Sequence, residues 1–461
     1  MLRRASAGVL AIALLAGGSS TQTLDPILPL PKLERCTAVA HPRLPDRWRA
    51  AFLMAPFTQA QLVLADLVHD EKIPATRVKL YGVRHGAGDF LIAGNDTYVI
   101  DSTASGVECR NLGDTGWRPL PPDWLTPRSH CSASAPIGET QVDWWKTPVK
   151  PTPATDWIWF KTSDHTPFRL VFQAPSNRLA VLSRYASSHQ VRFEPLTRTD
   201  LVDIAAACKG ARLASNTGAG ALRSELDAMM RADTRAEIEI ERIMPALHAG
   251  CSAARFPIWP QTLGLTGVLT PFDANEEPVP TEVLYDWSVP AQRSRIFLPA
   301  RANAIVQDAL LLGPAGYNIT YRRNGAPFCP AGLPGTIRPD WASRAPCECE
   351  AAIKGGTPLT PYGATRIFGC SLARPRAAWA WYTLEGRPMQ FQVTSLPGDE
   401  GAGLFAVLDY RSWAPDRSFP RAVFDKPQCN PAPPGATHTP QEAAARNARQ
   451  CSTCHLGETA R

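Results

Sequence analysis

The residues best equipped for chemistry lie near the C-terminal end. Cys451-Ser452-Thr453-Cys454-His455 has the CxxCH spacing in which two thiols add to haem vinyl groups and the adjacent imidazole becomes an axial iron ligand. The same pair can instead close a small disulfide, exchange thiols or bind zinc. Ten further cysteines precede it: Cys36, Cys109, Cys131, Cys208, Cys251, Cys329, Cys347, Cys349, Cys370 and Cys429. Four tryptophans form two matched pairs, Trp157 with Trp159 and Trp379 with Trp381. At i and i+2 on a strand each pair shares one face, where indoles either line an apolar ligand cleft or fill a core. Asn95-Asp96-Thr97 and Asn318-Ile319-Thr320 are glycosylation sequons. Asp273, Glu276 and Glu277 lack the spacing of an EF-hand loop and read as a solvated turn. There is no nucleophile elbow, phosphate loop, dinucleotide fingerprint or HExxH, and only His455 among nine histidines has a ligand spacing. No catalytic residue is indicated, and the chain reads as non-enzymatic.

These residues need a scaffold, and the 461-residue chain has the means to build one. With 44% apolar and 20% charged residues it can bury more than one core. The 48 Lys and Arg against 42 Asp and Glu leave a net +6, with no run of five like charges, so neither a nucleic-acid partner nor a polybasic membrane footprint is supported. Residues 1–22 read as a signal peptide: basic Arg3 and Arg4, an apolar stretch from Ala7 to Ala16, then small residues. No later stretch has 18 uninterrupted apolar residues, so no transmembrane segment is expected. The expected location is secreted, or periplasmic in a bacterium, an oxidising setting in which cysteines pair.

The chain is written twice. Tyr98-Val99-Ile100, Cys109, Pro122-Asp123-Trp124 and Cys131 recur as Tyr317-Asn318-Ile319, Cys329, Pro339-Asp340-Trp341 and Cys347. Asp156 to Phe160 matches Ala378 to Tyr382, and Pro167-Phe168-Arg169 matches Pro388-Met389-Gln390. Leu182 to Tyr185 matches Leu408-Asp409-Tyr410, and Phe193-Glu194-Pro195 matches Phe419-Pro420. Each copy opens on a cysteine, Cys36 or Cys251, and closes on one, Cys208 or Cys429. The cysteine number in each copy is even, which predicts bridges closed within each copy. The trial pairing is Cys36–Cys208 and Cys109–Cys131, then Cys251–Cys429 and Cys329–Cys347, with Cys349–Cys370 as an extra bridge. Other connectivities stay open. Short runs such as Arg77 to Tyr81 and Phe168 to Phe172, rich in β formers and bounded by Gly or Pro, predict strands. Leu222 to His248 reads as a helix stopped by Gly250, able to pack on a β face.

The second copy resembles the ependymin-related family. The resemblance rests on Leu284-Tyr285-Asp286-Trp287, Arg293-Ser294-Arg295-Ile296, Asp308 to Leu312, Tyr317-Asn318-Ile319, Phe368-Gly369-Cys370 and Phe424 to Cys429. It covers about Cys251 to Cys429, with residues 36–208 a weaker copy that lacks a counterpart of Cys370 and has Tyr81-Gly82 for Tyr285-Asp286. It implies two tandem antiparallel curved-sheet domains of the LolA/ependymin-like type, hence a mainly β fold. It also implies secretion, a hydrophobic cleft, lipid or other apolar ligands, and calcium. On this reading residues 1–22 are the signal peptide, 36–208 and 251–429 the two β domains, 209–250 a helical connector, and 430–461 a Pro-rich linker, short helix and CxxCH tail. Within the tail, Thr439-Pro440-Gln441-Glu442 is a capping box with proline at the first helical position, followed by an Ala-rich stretch to Gln450. That helix leading into CxxCH resembles the start of a cytochrome c domain over some 15 residues.

Three functions follow as expectations. The first is a secreted binding protein for a hydrophobic small molecule or membrane lipid, held in sheet-lined clefts by Trp157, Trp159, Trp379 and Trp381. The second is an exported electron-transfer protein carrying haem c at Cys451, Cys454 and His455. The third is an extracellular structural or adhesion protein. Oligomeric state is not legible.

Overall fold

The computed structural model describes residues 25–36, 41–56, 61–84, 86–103, 106–119, 129–138, 140–148, 155–172, 186–231, 236–251, 256–271, 277–298, 304–322, 326–333, 336, 338–340, 347–354, 363–372, 376–393 and 406–429. Short runs of apolar and β-branched residues, cut by Gly, Pro and Asx turns, give a mainly β chain. The first sheet comprises β1 (Arg47–Pro56), β2 (Val63–Asp70), β3 (Ala75–Gly82), β4 (Ala87–Ala93), β5 (Asp96–Thr103), β6 (Gly106–Asn111), β7 (His130–Ile137), β8 (Thr140–Pro148), β9 (Thr155–Lys161), β10 (Pro167–Phe172) and β11 (Ala186–Pro195). The second comprises β12 (Leu247–Ala249), β13 (Thr262–Pro271), β14 (Val279–Asp286), β15 (Ala291–Phe297), β16 (Ala304–Leu312), β17 (Ala315–Arg322), β18 (Ala331–Leu333), β19 (Cys347–Ile353), β20 (Thr365–Leu372), β21 (Arg376–Thr383), β22 (Pro388–Val393) and β23 (Ala406–Pro415). Each sheet is two antiparallel meanders joined in the middle, where β1 pairs with β11 and β13 with β23.

Three helices stand between the sheets in sequence: α1 (Leu201–Cys208), α2 (Gly218–Arg231) and α3 (Ala236–Ile243). The single helix expected over 222–248 is thus two, and it ends before His248. Pro245, which cannot continue a helix, is followed by β12, which pairs with β19 of the second sheet. Part of the expected connector therefore belongs to a sheet.

The two sheets repeat each other down to their irregularities. The same bulge interrupts β1 against β11 after Ala51 and β13 against β23 after Thr266. A second shared bulge lies at Phe168 and Met389, and a third just after Cys131 and Cys349. This register places Trp157 and Trp159 on Trp379 and Trp381, as the sequence match has them. It corrects three other matches. His189, opposite Arg169, corresponds to Asp409, opposite Gln390, and Phe193-Glu194-Pro195 corresponds to Trp413-Ala414-Pro415, not to Phe419-Pro420. The counterpart of Cys131 is Cys349, not Cys347. Similar short words misled the sequence match, whereas hydrogen-bond register fixes position.

All ten described cysteines are bridged, but none in the trial pairing. The bridges are Cys36–Cys131, Cys109–Cys208, Cys251–Cys349, Cys329–Cys429 and Cys347–Cys370. In both copies the opening cysteine pairs with the cysteine at the equivalent bulge, Cys131 or Cys349, and the second cysteine with the closing one. The corrected scheme has a simple cause: β7 and β19, not the closing segments, run beside the opening residues. Cys347 and Cys370 face each other directly across β19 and β20.

Each sheet has an inner face toward its partner and an outer face. On β1, Ala51, Leu53 and Ala55 point inward and Trp48, Ala50, Phe52 and Met54 outward, all buried. The inner core is shared: Leu53, Leu64 and Tyr81 of the first sheet pack with Ile353, Ile367, Trp379 and Trp381 of the second, sealed by Ile240, Ile243 and Met244 at and just beyond the end of α3. An N-terminal strap crosses both. The amides of Ile27 and Leu28 donate to the buried Glu282 carboxylate at 3.0 and 3.1 Å, Leu28 packs on Leu284 and Phe419, and Glu34 bridges to Ser134 on β7.

Candidate functional site

Trp159, Trp379 and Trp381 occupy the seam between the sheets. Trp159, Trp379 and Trp381 are all 2% exposed or less. The Trp379 indole donates to the Pro56 carbonyl at 2.7 Å across the seam, and His189 lies 4.4 Å from the Trp381 ring. Arg169 sits over Trp159 and reaches both carboxylate oxygens of Asp409 at 3.0 and 2.9 Å. Burial, aided by the Arg169 charge, holds His189 far below the ordinary histidine range, hence neutral. These three indoles therefore join the two sheets. Trp157 shares the strand of Trp159, with its backbone opposite Val171; its side chain lies outside the described residues.

The outer faces differ from each other, and here the register permits residue-by-residue comparison. On the first sheet Val78, Phe90 and Val99 are buried on the outer face, and α2 lies over them. Ala221, Leu222 and Met229 of α2 are buried there, with Leu226 and Met230 beside them. Met54, Met229 and Met230 bring half of the chain's six methionines to this contact. Thioether side chains adapt readily to irregular apolar surfaces. Arg110 clasps Glu225 of α2 at 2.7 and 3.2 Å, and Gly86 N–H donates to the Met229 carbonyl.

On the second sheet the same positions carry smaller or more polar residues. Ser294 stands for Val78, Ala309 for Phe90, Asn318 for Val99 and Gln307 for Gly88. Ser294, Ala309 and Asn318 are partly exposed and Gln307 is exposed; among the described residues no helix crosses them. Beside this floor, toward β19–β23, lies an aromatic wall. Phe256 packs 4.9 Å from Phe368 and 5.1 Å from Tyr382, and Phe391, Tyr410 and Trp413 continue it. Burial pushes the Tyr382 and Tyr410 phenols well above their ordinary range, so both remain neutral donors. The face thus offers apolar area grading into hydroxyl and amide groups, which suits a molecule with an apolar body and one polar end.

Asn95 is exposed at the β4–β5 turn, while Asn318 is half-buried on β17. Glu277 pairs with Lys146 at 3.1 Å, and Asp273 and Glu276 lie outside the described residues. Cys36, Cys131 and Asp143 cluster, but both sulfurs are in the disulfide and are not free to ligate a metal. Cys451, Cys454 and His455 also lie outside the described residues. No helix of the described residues is long and apolar enough to cross a membrane. Ser294, Ala309 and Gln307 are not among the site residues expected from the sequence, although Ser294 and Ala309 lie within segments that carry the family resemblance. Their signal was present as a size difference between matched copies, legible only once the bulges fix the match.

No family model matches the chain, and no curated protein does. Among solved structures it is similar to an uncharacterized conserved protein from Thermus thermophilus, with 12% identity over 38% of this chain and 90% of that one at a TM-score of 0.24. It is also similar to a LolA superfamily protein from Nitrosomonas europaea, with 12% identity over 37% and 93% at a TM-score of 0.21.

Proposed function

We propose that this is an exported, non-enzymatic binding protein that holds an apolar small molecule or membrane lipid on the outer face of its second sheet. One observation carries the reading: at equivalent positions the first sheet is filled by Val78, Phe90 and Val99 and roofed by α2, whereas the second has Ser294, Ala309 and Asn318 partly exposed beside an aromatic wall. The signal-peptide pattern and five disulfides support an oxidising compartment. The test is a titration of delipidated protein with the fluorescent apolar probe anilinonaphthalene sulfonate. Saturable binding is expected, weakened at least about tenfold in Ala309→Phe, which restores the bulk found at Phe90. Unchanged affinity in that variant would remove the second sheet from consideration.

The electron-transfer reading rests on the CxxCH spacing and on the capped Ala-rich stretch that precedes it in the sequence. Its test is the absorption spectrum of reduced protein: haem bands that disappear in Cys451→Ala/Cys454→Ala would establish it, and a bare polypeptide mass after denaturation would end it.

A further inference from the structure

The same buried carboxylate is satisfied in two different ways in the two copies. Asp66 on β2 and Glu282 on β14 hold equivalent register positions, opposite Ala51 and Thr266 at the shared bulge. In the first copy the Arg49 guanidinium donates to both Asp66 oxygens, at 2.9 and 2.7 Å. The counterpart of Arg49 is Gly264. With no side chain there, Glu282 takes two donors from the N-terminal strap instead, the successive amides of Ile27 and Leu28, while Arg295 pairs with its other oxygen. Leu28 lies where a side chain at 264 would run: a Cβ on Gly264 would stand 2.9 Å from the Leu28 Cδ1. Leu284, Phe419 and Phe424 complete the pocket around it.

We infer that this part of the second sheet's inner face is a peptide-binding channel for an extended Pro-apolar-apolar-Pro segment, held in cis by the strap and open to the same pattern on another chain once the strap leaves. The resident segment shows what the channel reads. Asp25-Pro26-Ile27-Leu28-Pro29-Leu30-Pro31 carries three prolines, which favour an extended chain, and Ile27 and Leu28 are its only successive amides between Pro26 and Pro31. Glu282 recognises that pair of amides, which a proline at either position would break, and the space over Gly264 recognises the apolar side chain beside them. Arg295 fixes the carboxylate before the peptide arrives, and the prolines fix the peptide, so little ordering is left to oppose binding. Arg49 closes the equivalent place on the first sheet, so the pattern fits the second sheet alone. Glu282 and Leu284 face the strap, whereas Val283 and Tyr285 join the cluster of Trp413 on the outer face. The channel and the outer-face ligand therefore occupy opposite sides of one sheet, and the inference does not rest on the carrier reading.

The test lets the full chain fold before the strap is cut. Lys32 is exposed and precedes Cys36, which is bridged to Cys131, so a protease site inserted after Lys32 frees the strap and leaves the rest of the chain bridged. A fluorescent peptide of residues 25–32 is then added in excess to replace the cut strap. Saturable binding is expected, at least about tenfold tighter than to the uncut chain, whose channel is filled. The same peptide N-methylated at Ile27 and Leu28 keeps both side chains and loses both donors; it is expected to bind at least about tenfold more weakly. Gly264→Arg, which gives Glu282 the arginine that Asp66 has, is expected to abolish binding to the cut protein. No saturable binding after cutting, equal binding by the uncut chain, or equal binding of the N-methylated peptide would overturn the inference. Unchanged binding in Gly264→Arg would do the same, and if that variant does not fold the N-methylated peptide decides. None of these results bears on the outer-face ligand, which Ala309→Phe tests separately.

Discussion

At the residue scale the most telling group is Glu350, buried at the bulge after Cys349. Burial, opposed by Arg84 at 3.7 Å and helped by Glu348, raises its carboxyl to about 7. A folded pKa above the unfolded value means the folded state binds the proton more tightly. That stability is fully present below about pH 4.5 and is lost as the pH rises through 7, an effect on the order of 2–3 kcal/mol. Glu350→Gln is therefore expected to match the parent in melting temperature near pH 4 and exceed it at pH 8; an equal difference at both pH values would show that burial of the charge is not the cause. His69 behaves oppositely. Stacked on Trp48 and desolvated, it is lowered to about 4, so its contribution is present above pH 6.5 and lost as pH falls toward 4. Neither effect is legible in sequence, because both depend on which of two apolar faces each side chain meets.

At the scale of elements, strands were read well and their faces were not. Arg77 to Tyr81 and Phe168 to Phe172 fall in β3 and β10, and the i, i+2 tryptophans lie on matched strands. Yet β1 is buried on both sides from Ala50 to Pro56, so alternation could not say which side meets the partner sheet. Disulfide pairing was lost for a related reason: cysteine order along the chain does not reveal that β7 runs beside Cys36. The fit of α2 on its sheet depends on Gly88, where an added Cβ would lie 2.7 Å from the Phe90 ring and 3.2 Å from the Met229 sulfur. Gly88→Val is expected to lift α2, costing about 1–3 kcal/mol. Faster amide exchange confined to residues 218–231 would report it; uniform acceleration across the first sheet would instead mean a general loss of packing.

For the whole molecule, the seam is built from the same positions of both copies but from different residues. Arg169 and His189 in the first correspond to Gln390 and Asp409 in the second, and Arg169 meets Asp409 across the seam. Two first sheets placed seam to seam would set Arg169 near His189 with no carboxylate, so charge favours the unlike pair. Asp409→Ala leaves a buried guanidinium unpaired and should cost about 3–5 kcal/mol. Arg169→Met/Asp409→Leu, which removes both charges, is expected to recover most of that in urea unfolding. A double variant as unstable as the single one would locate the loss in packing rather than charge. The duplication was plain in the sequence, whereas the meeting of the copies was not, because it depends on a register set by the bulges.

The strap at Ile27 and Leu28 carries a consequence for the order in which the molecule is completed. These residues are synthesised early, yet their partner Glu282 comes 254 residues after Leu28. Until the second half has folded, Ile27 and Leu28 lack their acceptor, and until they return, a buried carboxylate lacks two of its donors. A chain severed between the two halves is therefore expected to yield two fragments, each missing a contact that the other holds.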